Sequence, residues 1–373
     1  TSHKGVYEGE WQENEMHGQG AFKYTTKDVY RGEWVHGQRS GIGTLLSVYG
    51  SEYTGPWIND NKHGVGRLTL ANGDVYTGDF LGNVRSGKGV LNCVNGNVYS
   101  GGFKDDKMSG YGEHKYNNGD VYIGEHLFGT KNGKGRITYG KGGYYEGEWK
   151  ADKKQGLGKQ EYVRTVSASS ATATTTSTTN PPIPSDHHHP ETVDGKDSTV
   201  VSEVYDGEWK ANRRCGTGTS VYADGRHYEG EWKDDKYTEG YLVSSNGDQY
   251  EGNFRAMLPN GLGVKLFKDG SKYDGEWVAG DREGKGKITY SNGDVYIGDW
   301  RENVADGQGT YQYTNGDSFT GEFHNDEMDG QGIFQYRRSG DMYEGFWLLD
   351  KHDPTKGKKF YRNKEQYVST KGL

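Results

Sequence analysis

Residues 75–98 read Val-Tyr-Thr-Gly-Asp-Phe-Leu-Gly-Asn-Val-Arg-Ser-Gly-Lys-Gly-Val-Leu-Asn-Cys-Val-Asn-Gly-Asn-Val. The first six residues alternate, so Tyr76, Gly78 and Phe80 share one face of a predicted β-strand. Residues 81–86 form a predicted polar loop, and a second strand begins with Gly-Lys-Gly. The Asn-Gly pair near the end of the stretch is a strong hairpin-turn signal. The stretch therefore predicts two antiparallel strands.

The same pattern recurs every 23 residues, apart from one interruption, one 22-residue interval and one 24-residue interval. A glycine stands two residues after each opening aromatic, and Trp or Phe stands four residues after it in all repeats but one. All nine tryptophans occupy that fourth position. A fixed period of this length indicates a repeat array. The fourteen opening aromatics are Tyr7, Tyr30, Tyr53, Tyr76, Tyr99, Tyr122, Tyr145, Tyr205, Tyr228, Tyr250, Tyr273, Tyr296, Phe319 and Tyr343.

Composition disfavours several classes of protein. Only 31% of the 373 residues are hydrophobic and 61 are glycine, so a closed two-layer core is not expected. The 29 tyrosines outnumber the 5 methionines, which favours half-buried strands over helices. A net charge of −8 disfavours nucleic acid as a partner. Two cysteines are too few for a disulfide framework, which favours a reducing, cytoplasmic location.

Aromatic and glycine positions are expected to interleave across neighbouring strands. A flat ring can lie over an adjacent backbone only where no Cβ blocks it. The result would be one aromatic and glycine face, with the opposite, Glu-rich face in solvent. Tyr-x-Gly-x-Trp, a loop and then Gly-x-Gly every 23 residues resembles the MORN repeat family. The resemblance implies an all-β fold, an elongated single-layer twisted antiparallel sheet of about fourteen consecutive hairpins.

The interruption divides the chain into predicted domains. Residues 5–162 form a first array of seven repeats and residues 204–363 a second array of seven. Residues 163–203 are rich in Ser, Thr and Ala, a composition that predicts a disordered insert. Residues 364–373 are interpreted as a C-terminal cap or tail. The insert is either a loop extruded from one hairpin turn or a flexible hinge between two independent arrays.

Three repeats depart from the pattern. His126 replaces the Trp or Phe of its repeat and is expected to weaken the aromatic face. The repeat opening at Tyr228 is one residue short and carries Glu239 in place of a glycine, which predicts a local kink or bulge. The repeat opening at Tyr343 has a stretched loop and Gly357 alone in place of the glycine pair.

No catalytic, cofactor or metal site is predicted. Gly-x-Gly recurs, but no helix pattern follows any copy, and phosphate binding by such loops depends on a helix N-terminus. His187, His188 and His189 beside Asp186 lie in the predicted insert, which lacks the fixed geometry of a dedicated metal site. The many carboxylates recur at repeat spacing, so no two of them form an evident acid and base pair. We therefore predict a non-enzymatic protein.

A single sheet would leave its aromatic face only partly covered, and exposed apolar surface on that scale marks interaction sites. The first hypothesis is therefore a structural scaffold that binds protein partners along an aromatic-glycine groove. The predicted groove residues are Tyr30, Trp34, Tyr53, Trp57, Tyr273, Trp277, Tyr296 and Trp300. The MORN resemblance implies cytoskeletal or membrane-associated assemblies, including radial spoke heads of the cilium or flagellum axoneme and cortical scaffolds, and in some cases homodimers.

Two alternatives stay open at this point. Lysine and arginine in Lys150–Lys154, Lys210–Arg214 and Lys233–Lys236 could face anionic phospholipid, which would make the chain a phosphoinositide-binding membrane tether. The solvated-loop interpretation of these residues is favoured, because most of them alternate with Asp or Glu. The resemblance also allows the array to be the regulatory part of a larger lipid kinase or methyltransferase.

Overall fold

The structure is a computed structural model that describes residues 4–166, 198–361 and 364–369. Across these residues the chain forms β-strands joined by short turns, and no helix has the length and hydrophobicity that a membrane span requires. The strands are β1 Gly5–Gln12, β2 Glu15–Tyr24, β3 Val29–Val35, β4 Gln38–Leu46, β5 Glu52–Ile58, β6 Asn61–Thr69, β7 Val75–Leu81, β8 Val84–Asn92, β9 Val98–Lys104, β10 Lys107–Lys115, β11 Val121–Leu127, β12 Thr130–Thr138, β13 Tyr144–Lys150, β14 Lys153–Val166, β15 Ser198–Lys210, β16 Arg213–Tyr222, β17 His227–Lys233, β18 Lys236–Val243, β19 Gln249–Arg255, β20 Leu258–Leu266, β21 Lys272–Val278, β22 Asp281–Thr289, β23 Val295–Arg301, β24 Val304–Gln312, β25 Ser318–His324, β26 Glu327–Gln335, β27 Met342–Leu348, β28 Lys351–Tyr361 and β29 Lys364–Ser369.

The described residues divide into two compact units. Among these residues, unit 1 comprises 4–166, 198–204 and Trp209–Asn212, and unit 2 comprises Tyr205–Glu208, 213–361 and 364–369. In unit 1 the strands β1 to β14 pair antiparallel in chain order, and in unit 2 β16 to β29 do the same. Each strand pairs with its sequence neighbours, so the sheet is open. The predicted all-β fold of fourteen antiparallel hairpins is confirmed by β1 to β28.

Each hairpin closes through a tighter turn than the sequence suggests. The predicted loop 81–86 is wrong, because β7 ends at Leu81 and β8 begins at Val84. Gly82 and Asn83 alone make the turn, and both have positive φ, at 60° and 75°. Two such residues match the twist of the flanking strands in a two-residue hairpin. The remaining polar residues of the predicted loop therefore belong to the second strand.

The first glycine of each Gly-x-Gly creates a bulge opposite the Trp end of the first strand. Gly41 has a φ of +59°, and the β3–β4 register shifts between Gly32 and Glu33. The Glu33 carboxylate accepts a hydrogen bond of 3.1 Å from the backbone N–H of Ile42 inside this bulge. The acidic residue three after the opening aromatic was predicted to be merely solvated. It instead satisfies a backbone donor that the bulge leaves without a strand partner.

The second glycine of each Gly-x-Gly accommodates the tyrosine ring, as the sequence predicts. A Cβ built on Gly66 would lie 2.5 Å from both Oη and Cε2 of Tyr53, which is less than any real carbon contact. Gly66 pairs directly with Gly78 on the next strand. The backbone therefore approaches closely at this row, and the rings fill the space that the absent side chains leave.

The irregular segments form strands where the structure describes them. Residues 163–166 and 198–203 of the predicted insert belong to β14 and β15, while the rest of it, with His187, His188 and His189, lies outside the described residues. The short repeat opening at Tyr228 has the predicted register shift, between Glu231 and Trp232, and a comparable shift occurs in the other hairpins whose register is described. In the predicted cap, β29 pairs antiparallel with β28. The array boundaries themselves stay predictions.

Candidate functional site

Rings of successive repeats form a continuous series of edge-to-face contacts, here called the aromatic ladder and made of the opening aromatic and the fourth-position ring of each repeat. In unit 1, the centroid of Tyr30 lies 5.1 Å from that of Trp34 and 5.4 Å from that of Trp57 in the next repeat. The interplanar angles are 89° and 85°. Each such pair contributes about 0.5–1.5 kcal/mol beyond area burial. Unit 2 has the same arrangement, at 5.0 and 5.3 Å, in Tyr273, Trp277 and Trp300.

The polar atoms of the ladder are hydrogen-bonded to backbone carbonyls. The Tyr53 hydroxyl donates to the carbonyl of Pro56 at 3.0 Å, three residues along its own strand. The Trp57 indole N–H donates to the carbonyl of Gly43 in the preceding repeat at 3.1 Å. Burial raises the pKa of Tyr53 to about 12, so the phenol is neutral at physiological pH. Rings and hydrogen bonds together connect each repeat to the next.

The eight predicted groove residues are all brought together in this ladder, and all are buried. Their exposed fractions are 0–3%. The expectation that the aromatic face is only partly covered is therefore wrong, because the rings contact rings of adjacent repeats and, in several repeats, the cationic side chains described below. Their role in partner binding stays a prediction without an accessible surface to support it. They are Tyr30, Trp34, Tyr53, Trp57, Tyr273, Trp277, Tyr296 and Trp300.

A cationic residue of one repeat and an Asp or Asn of the next, here called the clamp, cover rings of the ladder. This contact was not predicted from the sequence. The Arg39 guanidinium lies 4.2 Å from the centroid of the Trp57 ring. Arg39 donates its backbone N–H and its Nε–H to Asp60 Oδ1, at 3.0 and 2.9 Å. The Asp60 N–H donates in return to the carbonyl of Arg39 at 3.1 Å. A cation held over an indole and hydrogen-bonded to a carboxylate is favourable when water is largely excluded.

The clamp recurs along both units with either acidic or amide acceptors. In unit 2, Arg282 lies 4.3 Å from the Trp300 centroid and donates its N–H to Asn303 Oδ1 at 2.9 Å. The sequence signal was an Asp or Asn three residues after the tryptophan and a Lys or Arg five residues after it. The lipid hypothesis counted Lys154 and Arg214 among its cations. Both instead lie over tryptophan rings, at 4.8 and 4.2 Å from the centroids.

One row of exposed apolar side chains lies on the face opposite the ladder. The residue between the two glycines of each second strand points outward, and in unit 1 it is apolar in four repeats. We call Ile42, Val65, Tyr111 and Leu157 the outer row. They are 56–65% exposed. The equivalent positions of the two intervening repeats carry Lys88 and Lys134, which are also exposed.

One position of the ladder departs chemically from the rest. His126 is 3% exposed, and neither of its ring nitrogens has a hydrogen-bond partner in the described residues. The His114 ring lies 6.5 Å away between centroids and stacks on Tyr116 at 4.1 Å. Burial lowers the pKa of His126, and burial followed by the neighbouring His126 and Lys131 lowers the pKa of His114 to about 4. The neighbouring strands β10 and β11 therefore bring together two imidazoles whose charged forms are disfavoured.

Clusters of metal-ligating side chains would mark a metal site among the described residues. In the part of the chain that the structure describes, no group of three or more His, Cys, Asp or Glu side chains could hold a metal ion. Ordered hairpins, buried rings and clamps between repeats define a β-hairpin repeat scaffold. The chain belongs to the MORN repeat family, a non-catalytic repeat that serves in protein or lipid interactions. The family matches residues 7–29, 30–49, 53–75, 76–98, 99–121, 145–163, 205–225, 228–238, 250–272, 273–295, 296–318 and 319–340.

The twelve matches omit two of the three irregular repeats, those opening at Tyr122 and Tyr343. Both nevertheless form hairpins, β11–β12 and β27–β28. No curated protein sequence matches the chain.

Solved structures resemble the chain only remotely. The SAS-4 (dCPAP) TCP domain of Drosophila melanogaster, in complex with a proline-rich motif of Ana2, is 12% identical, with a TM-score of 0.25, over 38% of this chain and 77% of that one. The TCP10 domain of Danio rerio CPAP is 14% identical, with a TM-score of 0.21, over 69% and 93%. A streptogramin B lyase is 14% identical, with a TM-score of 0.13, over 90% of each chain. Scores this low support no argument about function.

Proposed function

We propose that the protein is a non-enzymatic scaffold that binds protein partners through the outer row of unit 1. The observation that carries this proposal is the exposure of four apolar side chains at equivalent positions of one open sheet, while the aromatic face is filled. Solvent-exposed apolar groups that recur on one face are typical of interaction surfaces. The buried ladder holds the strands in register, and the outer row supplies the side chains that contact the partner.

The spacing and charges along the outer row indicate which groups the partner surface presents. Repeats are two strands apart, which places equivalent side chains roughly 9–10 Å from each other. The cationic Lys88 and Lys134 alternate with apolar residues along this line. A complementary partner presents apolar side chains at similar intervals with carboxylates between them. Such a surface selects a protein segment rather than a small molecule.

Cytoskeletal placement is part of the proposal. Its support is the MORN family resemblance, which implies cytoskeletal or membrane-associated assemblies. We propose a ciliary or flagellar assembly, radial spoke-like, or a cortical one. A phosphoinositide-binding tether is the competing function, and its remaining cations are exposed residues at strand ends, such as Lys150, Lys210 and Lys233.

The test is a quantitative pull-down from lysate of ciliated cells with three forms of the chain. One is unchanged, and one carries Ile42→Thr, Val65→Thr, Tyr111→Thr and Leu157→Thr. The matched control carries Lys285→Thr, at the equivalent exposed position of a unit 2 repeat outside the outer row. Circular dichroism verifies that all three are folded, and sedimentation with vesicles containing phosphatidylinositol phosphates forms a parallel arm.

We expect the recovery of specific partner proteins to fall at least tenfold with the four-residue variant and to change little with the lysine variant. Equal recovery with all three forms would contradict the proposal. Salt-sensitive vesicle binding without any protein that depends on the outer row would favour the tether instead.

A further inference from the structure

Five exposed side chains lie at equivalent positions of consecutive repeats on the outer face of unit 1. They are Val65, Lys88, Tyr111, Lys134 and Leu157, on β6, β8, β10, β12 and β14, and are here called the outer line. The apolar members are 62–65% exposed, and both lysines are exposed. Neighbouring strands lie about 4.7–4.9 Å apart, so the repeat interval is about 9.4–9.8 Å and the line is roughly 38–39 Å long.

The two lysines of the outer line are available to carboxylates of a partner. The carboxylate beside Lys88 is held by the backbone, because Asp79 Oδ2 accepts the Lys88 N–H at 2.8 Å. Among the described residues, neither the Lys88 nor the Lys134 ammonium group has an ion-pair partner. Lys285, at the equivalent position in unit 2, pairs with Asp299. The alternation of apolar groups and unpaired cations is therefore a property of unit 1, and it favours a partner with carboxylates at the same interval.

Of the regular backbone conformations, polyproline II matches this interval best. It has three residues per turn and rises about 3.1 Å per residue, so every third side chain returns to the same side after about 9.3 Å. Four such intervals match the outer line within about 2 Å. In an α-helix the seventh residue returns to nearly the same side after about 10.5 Å, and four intervals exceed the line by about 3–4 Å. In an extended strand the third side chain points to the opposite face.

The segment must also follow the twist of the sheet. Neighbouring strands are rotated by roughly −20 to −25° relative to one another, so the outer line is not straight. A polyproline II segment has no internal hydrogen bonds and bends along such a line without losing any. An α-helix would have to distort its own hydrogen bonds to do the same. The preformed polyproline II conformation also lowers the entropy cost of binding.

We propose that the outer line binds a polyproline II segment of a partner protein with the pattern apolar-x-x-acidic-x-x-apolar-x-x-acidic-x-x-apolar; this inference rests on the proposed function and specifies its partner. The three apolar side chains contact Val65, Tyr111 and Leu157, and the two carboxylates pair with Lys88 and Lys134. The pattern is the same in both chain directions. Proline suits the x positions, because the segment crosses the strands and needs no backbone N–H for a β-ladder.

The probe is a fluorescein-labelled peptide, Leu-Pro-Pro-Glu-Pro-Pro-Leu-Pro-Pro-Glu-Pro-Pro-Leu, titrated with the full chain and followed by anisotropy. A control peptide of the same composition has each glutamate moved one position towards the N-terminus, which turns its carboxylate about 120° away from the line. One chain variant carries Lys88→Glu and Lys134→Glu, and Lys285→Glu in unit 2 is its matched control. A third peptide has Lys in place of both Glu residues. Circular dichroism verifies that the variants are folded.

We expect saturable binding of the probe that is at least fivefold weaker for the control peptide and for the double-lysine variant, and unchanged with Lys285→Glu. The lysine peptide should bind the double-lysine variant at least fivefold more tightly than it binds the unchanged chain. Absence of probe binding, or equal binding of the probe and the control peptide, would overturn the inference. If the pull-down then still recovers proteins that depend on the outer row, the proposed function stands and only the polyproline II assignment fails.

Discussion

At the scale of single residues, the fold depends on which positions lack a Cβ. Glycine is required under each ladder tyrosine, and Gly66 shows why. Its φ is not in the positive region, so the backbone angle does not require glycine there. The Tyr53 ring occupies the volume that a side chain would need. The ring in turn donates its hydroxyl proton to the Pro56 carbonyl. Ring, glycine and carbonyl therefore depend on one another.

Gly66→Ala is expected to lower the free energy of unfolding by about 2–3 kcal/mol, because the new methyl group forces the buried Tyr53 ring out of position. The neighbouring change Val65→Ala is the matched control and should cost less than about 0.5 kcal/mol, since Val65 is exposed. Urea unfolding monitored by circular dichroism measures both. Similar costs for the two variants would contradict the assigned packing of ring on glycine.

Some residue roles were predictable from the sequence and others were not. The pairing of rings with glycines follows from strand alternation and the size of the side chains, and Asn-Gly pairs such as Asn95 and Gly96 form the expected turns. Glu33 was read as solvated, because alternation places it outward. Its role appears only once the bulge at Gly41 turns the Ile42 N–H towards it. A β-bulge changes the direction of backbone N–H groups locally, so a prediction based on strict strand alternation does not include this hydrogen bond.

At the scale of the hairpin, β11 and the strands beside it form the chemically weakest part of the ladder. His126 replaces a large apolar ring, and its nitrogens lack hydrogen bonds in the described residues. His114 lies beside it on β10, Lys131 faces both from β12, and Asp152 pairs with Lys131 at 4.0 Å. The His126 imidazole is buried and that of His114 is half-buried, in a site where Lys131 already supplies one positive charge. Protonation is therefore unfavourable in the folded state.

Stability should fall as the pH falls from about 6.5 towards 4. In the unfolded chain both imidazoles titrate near pH 6.5. In the folded chain burial lowers both pKa values, that of His114 to about 4, so the unfolded state binds protons first. The stability is fully present above about pH 6.5. We expect a loss on the order of 1–2 kcal/mol between pH 7 and pH 5, measured by urea unfolding.

The double variant His114→Leu with His126→Trp places in this hairpin the residue types that equivalent repeats carry. It should remove most of the difference between pH 7 and pH 5 and stabilise the chain at pH 7. Tyr111→Leu alters an exposed side chain of the same unit without changing a histidine and should preserve the wild-type difference. An unchanged pH dependence in the double variant would show that other groups cause the loss.

At the scale of the whole molecule, repetition explains both the success and the main error of sequence reasoning. The 23-residue period predicts the fold class and the hairpins correctly, because each repeat makes the same contacts with its neighbours. The burial of the ladder was not predicted, because a single sheet suggests an open aromatic face. Side chains that look like loop charges, such as Arg39 and Asp60, close over that face. Arg39 and Asp60 are 21 positions apart in the sequence, and their contact between neighbouring repeats is visible only in three dimensions.

The most direct test of this account is the solvent accessibility of the nine tryptophans. The chain is labelled with 5-fluorotryptophan, its fluorine NMR spectrum is recorded with and without a soluble paramagnetic agent, and the Trp11 resonance is assigned with Trp11→Phe. The account predicts strong broadening of the Trp11 resonance alone, because the other eight are only 0–6% exposed. Comparable broadening of two or more of those eight would show that the aromatic face is an open groove and would contradict the account.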